Sequence, residues 1–557
     1  MKIRLAQINP TIGDLQGNSA LIEQTIADAE NDTIDLLIFP ELAVCGYIPL
    51  DLLERPAFLD DIYQTNEELV DHSRDTAVLF GTVTPNESET GRSCFNSAIL
   101  ARDGKVQAEV HKALLPTYDV YNELRYFEPD NTFECVEFEG HQLGITVCED
   151  IWHNFELPYI TYDINPTKEL INGGAEAIFN LSASPYTRNK PAKRKQMLCQ
   201  RAREFNVPVF YVNQVGSNTE LISDGDSMVI DHTEDVIARA PLFEETAVDV
   251  HWNPKEDVIE QTEPPAEGAK PIEQMFGALQ LGLRDYLEKT QITDKVVVGL
   301  SGGIDSALVA VIAVEALGAE NVVGITMPSK FSSEGSVTDS QELAQNLGIS
   351  CHEIVIKDIY KEFTQLLHPF FEDTEFGTAE ENIQPRIRGT LLMAYSNKFR
   401  HMLLNTGNKS ELAIGYCTLY GDMSGGLSMI GDLYKSEVYE MARWLNNVYF
   451  DDNIIPPQIL RKPPSAELRP DQADTDSLPE YDTLDAILKA YIEEQVSIDV
   501  IADRGYDPDL IKRIISLVDN MEYKRFQGVP ILKVSDKAFG SGRNMPVVQQ
   551  WSHNFRD

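Results

Sequence analysis

The sequence has little positive charge: of its 557 residues, 46 are Lys or Arg and 89 are Asp or Glu, so the formal net charge is −43. Such a surface opposes binding to nucleic acid and to anionic membranes, and we therefore expect neither as a partner. Any anionic substrate must be bound by local basic groups. The acidic excess has two open explanations, a contribution to solubility and adaptation to a salty habitat.

The cysteines lack the spacing that would indicate disulfides or a metal site. There are 7 of them, an odd number, widely spaced and without a C-x-x-C pair. No His and Cys spacing typical of a metal site occurs either. We therefore expect a cytoplasmic protein in a reducing compartment. The stretch MKIRLAQINPTIGD has no long apolar segment, so we expect no secretion signal.

Long hydrophobic runs are also missing. The most apolar stretch, Val296 to Ala319, is interrupted by SGGIDS with an aspartate at its centre. A buried strand, a turn and a helix explain this stretch better than a membrane span. With 43% hydrophobic and 24% charged residues the composition is that of a globular protein. The length allows about two to four packed domains.

Short apolar runs rich in β-branched residues recur through the first half of the chain. These runs are IDLLIFPEL, TAVLFGTV, LGITVCED, EAIFNLSA and VPVFYVNQVG. Helical stretches at 18–30 and 190–205 separate some of them, which predicts an α/β domain with a largely buried sheet over residues 1–252. Residues 253–270 are charged and contain prolines, as in a linker. The strand, helix and strand patterns that follow predict a doubly wound domain over residues 271–557.

The stretch GITVCEDIW, residues 144–152, places a cysteine after a β-branched run and directly before two carboxylates. Negative charge nearby raises the pKa of a thiol, so another residue must take the proton if Cys148 is a nucleophile. Glu41, at the end of the run LIFPEL, can act as that base. The alternative is that Cys148 is a packing residue of the core.

In order and local context, Glu41, Lys112 and Cys148 resemble the Glu-Lys-Cys triad of the nitrilase superfamily. The resemblance implies an αββα sandwich in which Glu41 takes the thiol proton, Lys112 helps to stabilise an oxyanion and Cys148 attacks a glutamine amide. Glu149 and Asp150 are assigned to structure or orientation. The residues that the resemblance places at the glutamine site are Tyr118, Glu123, Ser184 and Arg188.

The stretch SGGIDS, residues 301–306, lies between a predicted strand and a predicted helix. A glycine-rich turn at such a place can present backbone N–H groups to phosphate oxygens. Asp305 would repel phosphate unless a magnesium ion intervened, and Glu411 can join it as a ligand, so we expect a Mg²⁺ requirement. Arg386 and Arg388 offer planar groups that bind phosphate or carboxylate. A tight turn without a ligand is the alternative for the hexapeptide alone.

SGGIDS resembles the motif of the ATP pyrophosphatase family, whose domain is Rossmann-like with a doubly wound parallel sheet. Together with ENIQPRIRG, NTGNKSELAIGYCTLYGD, SAELRPDQADTDSLPEYDTLD and LKVSDKAFGSGR it is similar to NAD synthetases. The SAELRPDQ block argues against relatives that make guanine nucleotides, asparagine-type amides or thiolated tRNA. The implied ATP-binding residues are Ser301, Gly302, Gly303, Asp305, Ser306, Arg388, Thr406 and Lys435. The implied deamido-NAD-binding residues are Asn382, Arg386, Glu411, Asp422, Lys533 and Lys537.

Taken together, the two halves resemble the family of glutamine-dependent NAD synthetases. The resemblance implies that glutamine is hydrolysed to glutamate and ammonia, that ATP adenylates the nicotinate carboxylate of deamido-NAD with release of pyrophosphate, and that ammonia displaces AMP to give NAD. It also implies a homo-oligomer, with dimer and octamer both open. Two alternatives stay open: a synthetase that uses free ammonia and keeps its first half for assembly, and a scaffold protein without catalysis.

Overall fold

The structure is a computed structural model and describes residues 1–155, 160–256, 258–469, 472, 474–476, 478–551 and 553. It divides into two compact units, Met1–Gln274 and Met275–Asp557. Each unit has its own sheets, so each is built around its own core.

The first unit is rich in short strands. It contains the strands β1 (Lys2–Gln7), β2 (Leu36–Ile38), β3 (Ala77–Pro85), β4 (Cys94–Arg102), β5 (Lys105–His111), β6 (Val136–Phe138), β7 (His141–Val147), β8 (Ala177–Ser182), β9 (Val209–Asn213), β10 (Val215–Asn218), β11 (Leu221–Asp224), β12 (Met228–Ile230), β13 (Val236–Arg239), β14 (Thr246–Asn253) and β15 (Val258–Gln261). Its helices are α1 (Leu15–Asn31), α2 (Pro56–His72), α3 (Pro166–Asn172) and α4 (Lys190–Phe205).

These elements form the predicted αββα sandwich. One sheet has the order β15-β14-β1-β2-β3-β4-β5 and the other β13-β12-β9-β8-β7-β6, while β10 and β11 form a separate ribbon. Successive side chains of a strand point to opposite faces. Leu36 and Ile38 therefore enter the core between the sheets, whereas Leu37 packs into the core beneath α1 and α2. On the other side, Met197 and Leu198 of α4 pack against the second sheet.

The sandwich brings together the ends of several strands. Glu41 follows β2 and Lys112 directly follows β5 in the first sheet. Cys148 directly follows β7 and Ala183 directly follows β8, and these two strands are parallel neighbours in the second sheet. The carboxyl ends of parallel strands lie at the same edge of a sheet, so Cys148 and Ala183 are neighbours.

Part of the predicted linker, residues 253–270, is a strand. The edge strand β15 pairs antiparallel with β14, with Ile259 opposite Trp252. In β15 only Val258 and Ile259 are apolar, and most of the strand is exposed. The segment therefore shows no sustained apolar period, although backbone pairing holds it in the sheet. The first compact unit ends at Gln274 and the second begins at Met275.

The second unit is mainly helical around a small sheet. Its strands are β16 (Val296–Gly299), β17 (Val322–Thr326), β18 (Ser350–Glu353), β19 (Met402–Asn405) and β20 (Leu427–Ser428). The helices from the boundary onward are α5 (Pro271–Thr290), α6 (Ile304–Leu317), α7 (Glu334–Leu347), α8 (Lys357–Phe371), α9 (Thr378–Glu381), α10 (Ile383–Phe399), α11 (Lys409–Ile414), α12 (Lys435–Trp444), α13 (Pro457–Arg461), α14 (Tyr481–Ile492), α15 (Ile498–Asp503), α16 (Pro508–Asn520) and α17 (Glu522–Arg525). None of the helices among the described residues combines the length and the apolar composition that a membrane crossing requires.

The sheet of the second unit is parallel, with the order β18-β17-β16-β19-β20. The chain proceeds from the central β16 outward to β18 and then returns to the other side of β16 as β19. This is the predicted doubly wound topology, and its strand order reverses between β16 and β19. Ligands of such sheets bind at the carboxyl ends of the strands where the order reverses. SGGIDS follows β16 there, and Thr406 follows β19.

Candidate active sites

Cys148 lies at a sharp, strained turn. It directly follows β7 and begins a 3₁₀ turn, Cys148–Ile151, with a φ of 44°. Non-glycine residues rarely adopt a positive φ, and such strain concentrates at functional sites. Asn180 of the neighbouring strand steadies the turn, because its Nδ2 donates to the Cys148 carbonyl at 3.3 Å and to the Thr146 Oγ1 at 3.0 Å.

Three charged side chains form a cluster that solvent does not reach. The Nζ of Lys112 lies 2.7 Å from Oε1 of Glu41 and 2.8 Å from Oε2 of Glu123, and all three side chains are 0% exposed. Tyr47 donates its hydroxyl to Oε1 of Glu123 at 2.8 Å. The cluster holds one cation between two carboxylates, an arrangement that is costly to build unless each group is paired.

Two further donors hold the Glu41 carboxylate. Asn96 donates its Nδ2 to Oε1 at 2.8 Å, and the backbone N–H of Ala183 donates to Oε2 at 2.9 Å. Because Ala183 precedes Ser184, the loop after β8 is fixed directly beside the charged cluster.

The electrostatics set the resting protonation of the cluster. Burial opposes the charge on Lys112, but Glu123 and Glu41 outweigh it and hold the Lys112 pKa well above its usual value. Burial, reinforced by Glu41, also holds the pKa of the Cys148 thiol well above its usual value. Burial raises the pKa of Glu123, although Lys112 acts in the opposite direction. Cys148 therefore rests as a thiol, and a base must remove its proton before it can attack.

The two carboxylates after Cys148 have different surroundings. Asp150 accepts hydrogen bonds from the backbone N–H groups of Ala113 at 3.1 Å, Leu114 at 2.8 Å and Val147 at 3.0 Å. It therefore ties the segment after Lys112 to the turn that carries Cys148. Glu149 instead accepts hydrogen bonds from polar side chains.

Glu149 accepts two tyrosine hydroxyls at one oxygen. The hydroxyls of Tyr118 and Tyr162 donate to Oε1 at 2.9 Å and 3.0 Å. Burial raises the Glu149 pKa, with Lys190 as the strongest opposing influence. The Nζ of Lys190 lies 4.3 Å from the centroid of the Trp152 ring, and burial lowers the Lys190 pKa. A buried carboxylate and the ammonium of a half-buried lysine thus interact with Cys148, and neither was identified from the sequence as a ligand-binding group.

The remaining predicted glutamine-site residues lie in the loop after β8. Ser184 is buried, and its backbone N–H donates to Oδ1 of Asn213 at 2.8 Å. Arg188 is half-buried and precedes Lys190 by two positions, just before α4. The structure therefore brings Ser184 next to the charged cluster, whereas at the start of α4 it is Lys190 whose charge interacts with Glu149.

In the second unit, a cavity of about 300 Å³ opens at the carboxyl ends of β16 and β19. Ten of the predicted nucleotide-site residues line it: Ser301, Gly302, Gly303, Asp305, Ser306, Arg388, Thr406, Glu411, Asp422 and Lys435. The other four, Asn382, Arg386, Lys533 and Lys537, are not among its described lining residues. The cavity therefore unites sequence motifs that are separated by more than a hundred positions.

The SGGIDS turn requires glycine at its second position. Gly302 has a φ of 75°, and a Cβ there would lie 2.4 Å from the carbonyl oxygen of Ser336. The Oγ of Ser306 accepts the backbone N–H of Ser301 at 3.2 Å, and the Oγ of Ser301 accepts the N–H of Gly303 at 3.2 Å. The turn leads directly into α6, so it combines a tight backbone with a helix N-terminus, as anion sites do.

A lysine stands between two carboxylates in this cavity. The Nζ of Lys435 lies 2.5 Å from Oδ2 of Asp305 and 3.3 Å from Oε1 of Glu411. Asn408 donates its Nδ2 to the other Asp305 oxygen at 2.9 Å. Burial opposes the charge on Lys435, but Asp305 and Glu411 outweigh it and raise the Lys435 pKa. The position between these carboxylates therefore favours a cation.

Arg388 and Asp422 also line the cavity. Arg388 donates its Nε to the carbonyl of Met327 at 3.1 Å, and burial lowers its pKa. Asp422 accepts the backbone N–H of Thr418 at 2.6 Å. Thr418 in turn donates its hydroxyl to Oδ1 of Asn382 at 3.0 Å, so Asn382 supports the loop that carries Asp422.

The C-terminal lysines lie in a segment that a different lysine anchors. Lys533 donates its Nζ to the carbonyl of Ser535 at 2.8 Å. The buried Nζ of Lys409 lies 2.9 Å from Oδ1 of Asp432 and donates to the carbonyl of Lys537 at 2.8 Å. Lys409 was not predicted as a functional residue, because one lysine in NTGNKSE gives no sign that it is buried.

Comparison with known proteins agrees with this geometry. A family model for carbon-nitrogen hydrolase matches residues 2–255, and one for NAD synthase matches residues 275–528. A glutamine-dependent NAD(+) synthetase from Synechocystis sp. is 46% identical, and the match covers 98% of each chain. This chain belongs to the glutamine-dependent NAD(+) synthetase family. Another member, from Acinetobacter baylyi, is 41% identical over 99% of this chain and 98% of its own.

Solved structures of the glutamine-dependent NAD(+) synthetase family have the same fold. The enzyme from Acinetobacter baumannii, in complex with ADP, is 38% identical with a TM-score of 0.78, and the match covers 100% of this chain and 99% of that one. The enzyme from Cytophaga hutchinsonii has a TM-score of 0.81 at 19% identity, over 99% of this chain and 98% of that one. The second comparison concerns the fold alone. The N-terminal sandwich is therefore nitrilase-like, and the parallel-sheet unit is an NAD synthase domain.

Proposed function

We propose that this chain makes NAD from deamido-NAD, ATP and glutamine, with glutamine hydrolysed in the first unit and ATP used in the second. The observation that carries the proposal is the joint placement of Glu41, Lys112 and Cys148 around one buried cluster. A synthetase that used free ammonia and kept its first half for assembly would have no need for a strained cysteine beside a buried carboxylate and lysine, and neither would a scaffold protein.

In the first unit, Glu41 removes the proton from Sγ of Cys148, and the thiolate attacks the amide carbon of glutamine. Lys112 offsets the negative charge that develops on the amide oxygen. Glu41 then returns the proton to the leaving nitrogen, so that ammonia departs and a thioester remains. Water, deprotonated by Glu41, releases glutamate from the thioester. Glu123 keeps Lys112 in place through their ion pair at 2.8 Å.

The glutamine backbone carries an ammonium and a carboxylate, and the pocket offers one partner for each. Glu149 suits the ammonium, because one of its oxygens is held by Tyr118 and the carboxylate is buried. Lys190 suits the carboxylate, because partial burial lowers the pKa of its ammonium and an anionic partner would stabilise the charge. Ser184 and Arg188 complete the proposed pocket. Arg188 is the alternative to Lys190 as the group that binds the glutamine carboxylate.

In the second unit, the nicotinate carboxylate of deamido-NAD attacks the α-phosphorus of ATP and the bond to pyrophosphate breaks. The SGGIDS turn, Ser301 to Ser306, binds the phosphates through its backbone N–H groups. Arg388, Thr406 and Lys435 add contacts to ATP from the cavity wall. Ammonia then attacks the mixed anhydride, and AMP leaves.

A magnesium ion fits the donors of this cavity. Mg²⁺ is usually bound by one or two carboxylates together with substrate phosphates. Asp305 and Glu411 supply two carboxylates, which the Lys435 ammonium pairs in this structure. Among the residues that the structure describes, no group of three or more His, Cys, Asp or Glu could hold a metal. When bound, Mg²⁺ would neutralise charge on the departing pyrophosphate.

Deamido-NAD is the larger substrate, and its proposed contacts extend beyond the cavity. Asp422 lines the cavity, while Asn382 supports the same loop through Thr418. Arg386 is exposed, and its Nε donates to the carbonyl of Leu419 at 3.3 Å. Lys533 and Lys537 lie on the C-terminal segment. Each of these residues is proposed to contact or support deamido-NAD.

A homo-oligomer is proposed from the surface of α8. Phe363, Leu366 and Phe370 recur at helical spacing and are 47%, 72% and 80% exposed. Exposed apolar stripes of this kind mark interfaces, and a second copy of the same stripe is a self-complementary partner.

The cytoplasm is the proposed location, because all seven cysteines are free thiols, as in a reducing compartment.

The purified protein tests the proposed function directly. It would be supplied with ATP, Mg²⁺ and deamido-NAD, and with either glutamine or ammonium. We expect NAD and pyrophosphate in equal amounts with both nitrogen sources. Turnover with ammonium alone would favour a synthetase that keeps its first unit for assembly. No turnover with either nitrogen source would favour a scaffold protein.

A further inference from the structure

Asn96 contacts both the proposed base and the proposed oxyanion lysine. It lies on β4 and is fully buried. Its side-chain Nδ2 donates to Oε1 of Glu41 at 2.8 Å, and its carbonyl oxygen accepts the backbone N–H of Lys112 at 2.8 Å. One strand residue therefore fixes the position of two groups that the proposed hydrolysis of glutamine requires.

The donors are distributed unequally over the Glu41 carboxylate. Oε1 receives both Asn96 Nδ2 and Lys112 Nζ, at 2.8 and 2.7 Å. From the part of the chain that the structure describes, Oε2 receives only the N–H of Ala183, at 2.9 Å. Each carboxylate oxygen has two lone pairs. The acceptor capacity of Oε1 is therefore used, and one lone pair of Oε2 is left for a further proton donor.

We propose that Asn96 is a positioning residue that saturates Oε1 of Glu41 and so makes Oε2 the oxygen that receives the Cys148 proton. The inference rests on the proposed role of Glu41 as the base. In this step the S–H bond of Cys148 breaks, its electron pair stays on Sγ, and an O–H bond forms at Oε2. Lys112 and Asn96 keep their protons throughout.

The side chain of Asn96 is not explained by packing. Its Oδ1 is buried and accepts no hydrogen bond among the residues that the structure describes. Leaving a buried acceptor unsatisfied is unfavourable, and an apolar residue of similar size would avoid it. The amide is therefore retained for its donor, and that donor binds Glu41. The side chain of the neighbouring Ser97 is explained by its own hydrogen bonds. Its hydroxyl lies 2.7 Å from the Thr84 hydroxyl and 2.8 Å from Nδ1 of His111.

The test is the pH profile of glutamine hydrolysis by Asn96→Ala in the full-length protein. Removing a donor from an ionised carboxylate makes protonation easier, so the base is lost at higher pH. We expect the acidic limb of kcat/KM for glutamine to move up by about one pH unit. We also expect kcat to fall by about tenfold or more, with little change in the KM for glutamine. Ammonium-dependent NAD formation, measured on the same sample, reports whether the protein is folded.

Two further variants make the test specific. Ser97→Ala removes a buried hydroxyl from the next residue of β4 without touching Glu41, so its acidic limb should stay in place. Asn96→Asp has the shape of the native residue but places a second carboxyl group beside Glu41, so its limb should also move to higher pH. It provides the measurement if Asn96→Ala does not fold.

The inference would be overturned if the acidic limb of kcat/KM for glutamine stayed at the native pH in the Asn96 variants. It would also be overturned if that limb moved equally far in Ser97→Ala. The failure of the proposed function would look different, because Cys148→Ala would then still hydrolyse glutamine. If Cys148→Ala is inactive with glutamine and the limb of Asn96→Ala is unmoved, only the inference about Asn96 is wrong.

Discussion

Replacing Lys112 by methionine removes the single cation of the buried cluster in the first unit. Its Nζ lies 2.7 Å from Glu41 and 2.8 Å from Glu123, and none of the three side chains is exposed. Methionine has a similar length but no charge, so the packing changes little while both carboxylates lose their cationic partner and keep their other hydrogen bonds. We expect the variant to lose glutamine-dependent NAD formation and to be less stable.

The size of the stability loss follows from the burial of the cluster. Removing one partner of a buried ion pair costs about 3–5 kcal/mol, because an uncompensated charge remains. For a unit of this size that corresponds to a fall in Tm of roughly 6–20 °C. A domain with about 5–15 kcal/mol of stability can survive such a loss, so the variant should still be obtained in folded form.

The loss of stability in Lys112→Met should depend on pH. Burial already raises the pKa of Glu123 above its usual 4.5, and removing Lys112 removes the main opposing influence. A carboxyl group whose pKa is raised by folding binds its proton more tightly in the folded state, so the free energy of unfolding falls as the pH rises above 4.5. The Tm difference between Lys112→Met and the native protein should therefore be small at about pH 5 and large at about pH 8.

Calorimetry at both pH values measures this difference, with Lys105→Met as the matched control. Lys105 begins β5, the strand that ends just before Lys112, and it is exposed. Its replacement removes the same charge from the same strand and should leave the Tm nearly unchanged. A Tm of Lys112→Met that equals the native value at both pH values, or falls equally at both, would refute the buried ion cluster.

Three other predictions concern substrate binding and assembly. Lys190→Met should raise the KM for glutamine about tenfold or more while ammonium-dependent turnover is unchanged, because the proposed partner of the glutamine carboxylate is lost; a larger effect in Arg188→Met would transfer that role to Arg188. Asp305→Asn should abolish NAD formation with either nitrogen source, because a magnesium ligand is lost, but glutamine hydrolysis should continue; full ammonium-dependent turnover would contradict the assignment. Leu366→Glu combined with Phe370→Glu should lower the mass measured by light scattering at equal concentration, because charge is placed on the apolar stripe; an unchanged mass would exclude α8 from the interface.

Much of the fold follows from local sequence pattern. The run EAIFNLSA predicts a buried strand, and the structure has β8 at Ala177–Ser182. The predicted helix at 190–205 is α4, with the same bounds. In the second unit, the doubly wound parallel sheet was predicted from the strand, helix and strand pattern around SGGIDS. These elements are predictable because apolar period and glycine position are properties of short segments.

Contacts between distant segments could not be predicted in the same way. Asn96 lies 55 positions from Glu41, and in CFNSAIL it resembles any polar residue of a strand. Lys190 and Glu149 come together only because α4 and β7 belong to the same sandwich half. The edge strand β15 was missed since its side chains are mostly polar and only its backbone pairing places it in the sheet. Each of these features depends on tertiary structure rather than on a local period.

The most direct test of the account is NAD formation by Cys148→Ala with glutamine and, separately, with ammonium. The substitution removes the proposed nucleophile of the first unit and changes nothing in the cavity of the second. The truncation of a buried side chain costs about 1–3 kcal/mol, which a domain of this size can tolerate. We predict that glutamine no longer supports NAD formation and that ammonium still does at the native rate. Retained turnover with glutamine would contradict the account, because Cys148 would then be a packing residue of the core.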